Sequence, residues 1–212
     1  MLHYESYIPS DARDGAPLLV LLHGRGSNEQ DLMGLQPHLP QGVIVVSPRA
    51  PFSGMPWGYG PGWAWYRFLG EDRPEPESFE AAQGELGEFL RELPGALPVK
   101  PGALTLGGFS QGGTMSLAYA LRNPGVVPGV LNLSGFLANH PSVSATPETV
   151  RGTRIFWGHG TADGNIPWEL AQAGRAKLEA AGADLEARDY RMGHTISGEE
   201  LADAIRWAGW EG

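Results

Sequence analysis

A chain of 212 residues with no cysteine and a formal net charge of −9 is long enough for one sizeable hydrophobic core and cannot use disulfide or thiolate–metal chemistry. Its acidic balance, with a pI near 5.1, leaves no basic patch to neutralise phosphates and excludes nucleic acid as a partner. The N-terminus has no basic leader, and its longest apolar run is Leu18 to Leu22; the expectation is a cytoplasmic protein without a membrane span.

In chain order, the alternating stretch LHYESYIP at residues 2–9 suggests an antiparallel edge strand. The runs at 17–24, 42–48, 102–109, 129–136, 153–160 and 185–192 read as strands. The central ones are almost continuously apolar, as a parallel sheet covered on both faces requires. Ser27 with Gln30 has the form of a capping box opening a short helix after the first central strand. Residues 78–93 carry apolar side chains at helical spacing behind Ser78 as N-cap, and 111–122 form a second helix stopped by Asn-Pro-Gly. A third helix opens on Pro167 and stops near Gly182, and a fourth opens on a box formed by Ser197 and Glu200. Strand–helix alternation of this kind predicts a single α/β domain over residues 1–212, with a mostly parallel sheet and helices on both faces.

Ligands of such sheets sit at the carboxyl ends of the strands. There Gly108-Phe109-Ser110-Gln111-Gly112 forms G-x-S-x-G between a strand and a helix. In an elbow of this type the serine takes a strained conformation that lifts its hydroxyl above the sheet, and the flanking glycines avoid collisions in the tight turn. The bland alternative is a glycine-rich turn whose serine only caps a helix. The strand-to-helix context favours the nucleophile.

A serine hydroxyl needs a base, and the base needs an orienting carboxylate. Asp163, in a Gly-rich loop after one strand, and His194, between the last strand and the last helix, follow Ser110 in the chain order expected of a fold with such a strand-to-helix elbow. Their rivals are placed less well. Asp189 lies inside a strand, Asp184 stands at the opposite end of the sheet, and Asp203 is on the final helix. His159 packs at a strand end, His23 shapes a loop, and His3, His38 and His140 read as surface residues. The backbone N–H groups of Gln111 and Arg25 are the candidate oxyanion-hole donors.

The segments LHGRG, SPRAP, GGFSQGGTMSLAYAL, LSGFL, HGTADGNIP and MGHTI together resemble the phospholipase/carboxylesterase family of α/β-hydrolases, which includes small carboxylesterases and acyl-protein thioesterases. The resemblance runs in order from about residue 18 to the C-terminus. It implies a single-domain α/β-hydrolase fold with no cap domain, Ser110 as nucleophile, Asp163 as orienter, His194 as base, and Arg25 and Gln111 as oxyanion donors. It also implies a small-molecule ester substrate. The length of the chain leaves no room for an inserted cap domain, so the expectation is a fairly open cleft and short-chain acyl esters, with lysophospholipids and acyl-thioesters as alternatives within the same family. No metal or cofactor is required. A catalytically silent binding protein of the same fold is the rival class, and the complete set of three residues counts against it. The sequence departs from the family at Arg25, where many members carry leucine, and at Asn165, where valine is common.

Residues 51–70 hold Phe52, Trp57, Tyr59, Trp63, Trp65, Tyr66 and Phe68 among prolines and glycines that forbid a regular helix. This segment follows a strand's carboxyl end and can overhang Ser110. Trp65 and Tyr66 are the expected pocket wall; the alternatives are a loop pinned by its own aromatic packing and a homodimer contact.

Overall fold

A computed structural model describes residues 1–210. Seven strands form one sheet: β1 (Tyr4–Tyr7), β2 (Leu18–Leu22), β3 (Ile44–Pro48), β6 (Leu104–Phe109), β7 (Gly129–Leu133), β8 (Arg154–Gly160) and β9 (Asp184–Tyr190), while β4 (Phe52–Ser53) and β5 (Trp63–Ala64) pair separately. The spatial order is β1-β3-β2-β6-β7-β8-β9, with β1 antiparallel to β3 and all the other pairs parallel. The chain thus winds outward in both directions from β2 and β6.

Side-chain alternation along β2 explains the layers. Leu18, Val20 and Leu22 face a core shared with α1 (Pro76–Ala96), α2 (Gln111–Arg122) and α3 (Trp168–Ala180). Leu19 and Leu21 face a smaller core with Leu32, Phe156 and, from α4 (Gly198–Ala208), Ala204. Both faces are covered, which is why β2, β3 and β7 contain only buried residues.

Several local expectations change in the structure. The box at Ser27 does not form: the Ser27 hydroxyl donates to Asp31 Oδ2, and Asn28 Oδ1 takes the Gln30 N–H. This side-chain capture of the backbone competes with an α-helix, and a 3-10 turn at Leu32–His38 follows instead. Helix α1 starts earlier than Ser78, because Pro76 supplies a pre-set first helical residue behind Glu75. Ser78 lies within the first turn, where its Oγ accepts the Arg67 N–H. Strand β7 stops at Leu133, since Ser134 turns the backbone with φ 55°. His140 is buried rather than at the surface: its ring lies 4.9 Å from Phe79, and Nδ1 meets the Ser142 hydroxyl at 2.8 Å. Among the described residues, no helix is long and apolar enough to cross a membrane.

Candidate active site

Strand β6 runs directly into α2 with Ser110 as the only residue between them. The turn is made by Ser110 itself, at φ 56° and ψ −117°, a region that costs an L-residue about 1–3 kcal/mol unless its surroundings enforce it. The surroundings do so. Ser110 N donates to Leu133 O at 2.8 Å. A Cβ on Gly108 would lie 2.4 Å from the Gly112 carbonyl carbon, and one on Gly112 would lie 1.9 Å from Leu22 O. Only glycines let strand, turn and helix approach this closely. The hydroxyl is thereby held at the N-terminus of α2, at the positive end of its dipole.

Asp163 follows β8 and His194 follows β9. Their loops are laced together: Thr161 N donates to Tyr190 O at 2.8 Å, and Ala162 N donates to Met192 O at 3.1 Å. This brings Asp163 Oδ2 to 2.7 Å from His194 Nδ1 and His194 Nε2 to 2.9 Å from Ser110 Oγ. Ser110, His194 and Asp163, far apart in the chain, form one hydrogen-bonded line. The Phe109 ring, 4.7 Å from that of His194, flanks the imidazole.

Asp163 is buried, and burial alone would raise its pKa. Its Oδ1 accepts the N–H groups of Ile166 and Asn165, each at 2.9 Å, and together with His194 these hold the carboxyl below its ordinary value. It is therefore an ionised carboxylate at neutral pH. Behind it, His159 Nε2 donates to Ile166 O at 3.0 Å, supporting the same loop; burial lowers the His159 pKa and keeps the ring neutral.

On the other side of Ser110, His23 is buried with Nδ1 donating to Gly24 O at 2.7 Å and Nε2 accepting from Ala50 N at 3.0 Å. Burial depresses its pKa, so it shapes the Gly24–Arg25 loop as a neutral ring. Among the described residues, the Arg25 and Gln111 N–H groups have no acceptor, and the loop passes so close that a Cβ on Gly24 would lie 3.6 Å from Ser110 Cβ.

The two expected wall residues part company. Tyr66 lines the cleft beside Ser110. Trp65 does not: it is fully buried behind the loop and donates its indole N–H to His23 O at 3.0 Å. The side chain that orders this pair is Gln111, whose Oε1 accepts Trp65 N at 2.8 Å and whose Nε2 donates to Tyr66 O at 2.7 Å. Sequence reasoning assigned Gln111 only a backbone role; no local signal shows a side chain reaching 45 residues back. The cleft, about 200 Å³, is otherwise walled by Phe68, Phe109, Phe136 and Ile166. Phe52, Trp57 and Tyr59 are half-buried against one another, with Phe52 and Trp57 rings 5.2 Å apart and Trp57 and Tyr59 6.0 Å apart, while the half-buried Trp63 ring lies 4.9 Å from the Arg49 guanidinium. A cluster of His3, Glu5 and Glu29 has the residue types of a metal site. Its Glu29 is taken by Arg49, whose guanidinium Nε donates to it at 2.6 Å and holds its pKa near 2.

A strained serine elbow and a histidine–carboxylate line on a doubly wound sheet define an α/β-hydrolase. The phospholipase/carboxylesterase family profile matches residues 3–208, and the chain belongs to that family. It is 39% identical over 112 residues to a probable carboxylesterase of Oryza sativa subsp. japonica, covering 51% of this chain and 42% of the rice protein. The chain thus spans about half the length of that relative. A second probable carboxylesterase of the same rice is 30% identical over 210 residues, covering 92% of this chain and 88% of its own. The crystal structure of esterase PE8 superposes with a TM-score of 0.81 at 27% identity, covering 98% of both chains.

Proposed function

We propose that this protein is a serine hydrolase that cleaves carboxylic esters, short-chain acyl esters in particular, through an acyl-enzyme on Ser110. The observation that carries the reading is the line from Ser110 Oγ through His194 to Asp163, at 2.9 and 2.7 Å. His194 Nε2 takes the hydroxyl proton while Oγ bonds to the ester carbonyl carbon, and the carbonyl electron pair moves onto oxygen. That oxyanion is received by the Arg25 and Gln111 N–H groups; one such donor is typically worth ~10²–10³ in rate. Asp163, held ionised, accepts the Nδ1–H hydrogen bond, keeps its charge and stabilises the imidazolium. The tetrahedral adduct collapses, and the departing alkoxide takes the proton from Nε2. Water, deprotonated by His194, then attacks the acyl carbon; the acid leaves and Ser110 regains its proton.

The cleft of about 200 Å³ is smaller than the ~300–1,000 Å³ sites that enclose drug-sized ligands, which supports short acyl groups. The cytoplasmic location expected from the sequence belongs to the same proposal and is tested by fractionation. The decisive assay is a chain-length series of p-nitrophenyl esters with matched thioesters and a lysophospholipid. Wild type should release a burst of nitrophenol stoichiometric with protein and show its highest kcat/KM on short esters. Ser110→Ala should lose several orders of magnitude in turnover. An alanine variant that keeps its activity refutes the nucleophile. A kcat/KM highest on thioesters moves the reading to the thioesterase branch.

A further inference from the structure

One charged side chain in the cleft has no place in the scheme above. Arg25 contributes only its backbone N–H to the proposed oxyanion hole, yet the residue lines the cleft and is exposed at its rim. Its Cζ lies 4.7 Å from the Tyr59 ring centroid and 5.8 Å from that of Phe68. No carboxylate among the described residues is within ion-pairing distance of it, whereas Arg49, Arg67 and Arg175 each have one. The other charged residue of the cleft, Asp31, accepts the Ser27 hydroxyl at 2.7 Å.

The position of Arg25 is imposed by the backbone. Gly26 N donates to Trp63 O at 2.8 Å and Trp63 N to Ser27 O at 2.7 Å, zipping the loop to the aromatic segment. The fit leaves no room for side chains: a Cβ on Gly62 would lie 1.9 Å from Gly26 O, and one on Gly26 would lie 2.5 Å from Tyr59 O. The Tyr59 ring is tied as well, because its hydroxyl accepts the Phe68 backbone N–H at 2.7 Å. A guanidinium stacked on fixed aromatic faces keeps its planar fork of donors free and has surrendered part of its rotamer freedom in advance.

We infer that the Arg25 side chain is a specificity determinant that selects esters carrying a carboxylate a few bonds from the scissile carbonyl. The inference rests on the serine-hydrolase reading and names its substrate class. Such a substrate places its reacting carbonyl between Ser110 and the Arg25 and Gln111 N–H groups, and its free carboxylate on the guanidinium one side-chain length away. Aromatic walls accept the short apolar linker between the two.

The test measures kcat/KM at a pH-stat for monoethyl succinate (carboxylate on the acyl side), the butyryl ester of glycolate (carboxylate on the alcohol side) and ethyl butyrate (neutral), on wild type, Arg25→Met and Arg25→Lys. Wild type should prefer at least one anionic ester over the neutral one, and the preference should shrink as salt is raised. Arg25→Met should lower the anionic-to-neutral ratio about tenfold or more and abolish its salt dependence. Arg25→Lys should restore part of the ratio, since it keeps the charge without the fork. Because the ratio is read within each variant, any change in the oxyanion loop that slows all substrates alike cancels. Hydrolysis of all three esters at a ratio unchanged by Arg25→Met overturns the inference while leaving the hydrolase reading intact. If Arg25→Met does not fold, a salt-independent wild-type ratio overturns it equally. A wild type inert to every ester overturns both.

Discussion

Glutamine at position 200 should remove a pH-dependent cost that wild type carries. Glu200 sits in the first turn of α4 with no exposed surface, and neither carboxyl oxygen has a hydrogen-bond partner. Its carboxyl lies against the backbone of β8, so that a Cβ on Gly158 would be 2.1 Å from Oε1. Burial is the main cause that raises its pKa from 4.5 to about 8; the nearby Ser197 backbone, short of a formed hydrogen bond, and the Arg175 charge offset only part of the effect. A folded-state pKa above the unfolded value means that the folded protein holds the proton more tightly. Stability is then complete below about pH 4.5 and declines as pH rises, until the group ionises near 8. The decline is about 1.4 kcal/mol per pH unit inside that window, or roughly 3–4 kcal/mol from pH 5 to 8. That is a large share of the ~5–15 kcal/mol by which domains are stable. The buried imidazoles of His23, His140 and His159, whose pKa values are lowered, act in the opposite sense, losing stability as pH falls. They are common to both proteins and cancel in the difference. Urea unfolding followed by tryptophan fluorescence at pH 5, 6, 7 and 8 should show the gap between Glu200→Gln and wild type widening in the variant's favour as pH rises. Parallel pH profiles would refute the argument, whatever the offset between them.

Two further outcomes follow from the site's geometry. Gly112→Ala should sharply reduce both stability and esterase activity, because its methyl group would fall 1.9 Å from Leu22 O and force β2 and α2 apart; a variant with wild-type melting and turnover contradicts the packing account of the elbow. Gln111→Leu leaves Trp65 N and Tyr66 O without partners, at about 1–3 kcal/mol for each buried group. It should raise KM through a loosened Tyr66 wall while the nucleophile still acylates, and an unchanged KM argues against the clamp.

Much of the architecture could be read from the chain because local chemistry and global fold agree. Near-continuous apolar runs such as Leu18–Leu22 suit only strands covered on both faces, and Gly108 and Gly112 bracket Ser110 in a pattern that the close approach of β2, β6 and α2 makes necessary. The expected order of Ser110, Asp163 and His194 names residues at three strand ends, which the parallel sheet places on one rim. Expectations about helix starts failed where a short polar side chain had two partners available, and those for Trp65 and His140 failed because burial depends on packing across the fold. Ser27 turned to Asp31 and Ser78 fell inside a helix that Pro76 had already started. Ser197 caps α4 by accepting the Glu200 N–H, while the Glu200 carboxyl lies buried and unpaired.

What the sequence determined by itself is the set of elements and the candidates for chemistry, since periodicity, glycine at a tight turn and residue order are properties of neighbours along the chain. What only the tertiary structure decided is which groups meet across long separations: Gln111 with Trp65 and Tyr66, Arg25 with Tyr59 and Phe68, the Asp163 loop with the His194 loop. Those contacts depend on loop paths and side-chain rotamers that are selected by packing, and packing energy is summed over the whole core rather than written into any local stretch.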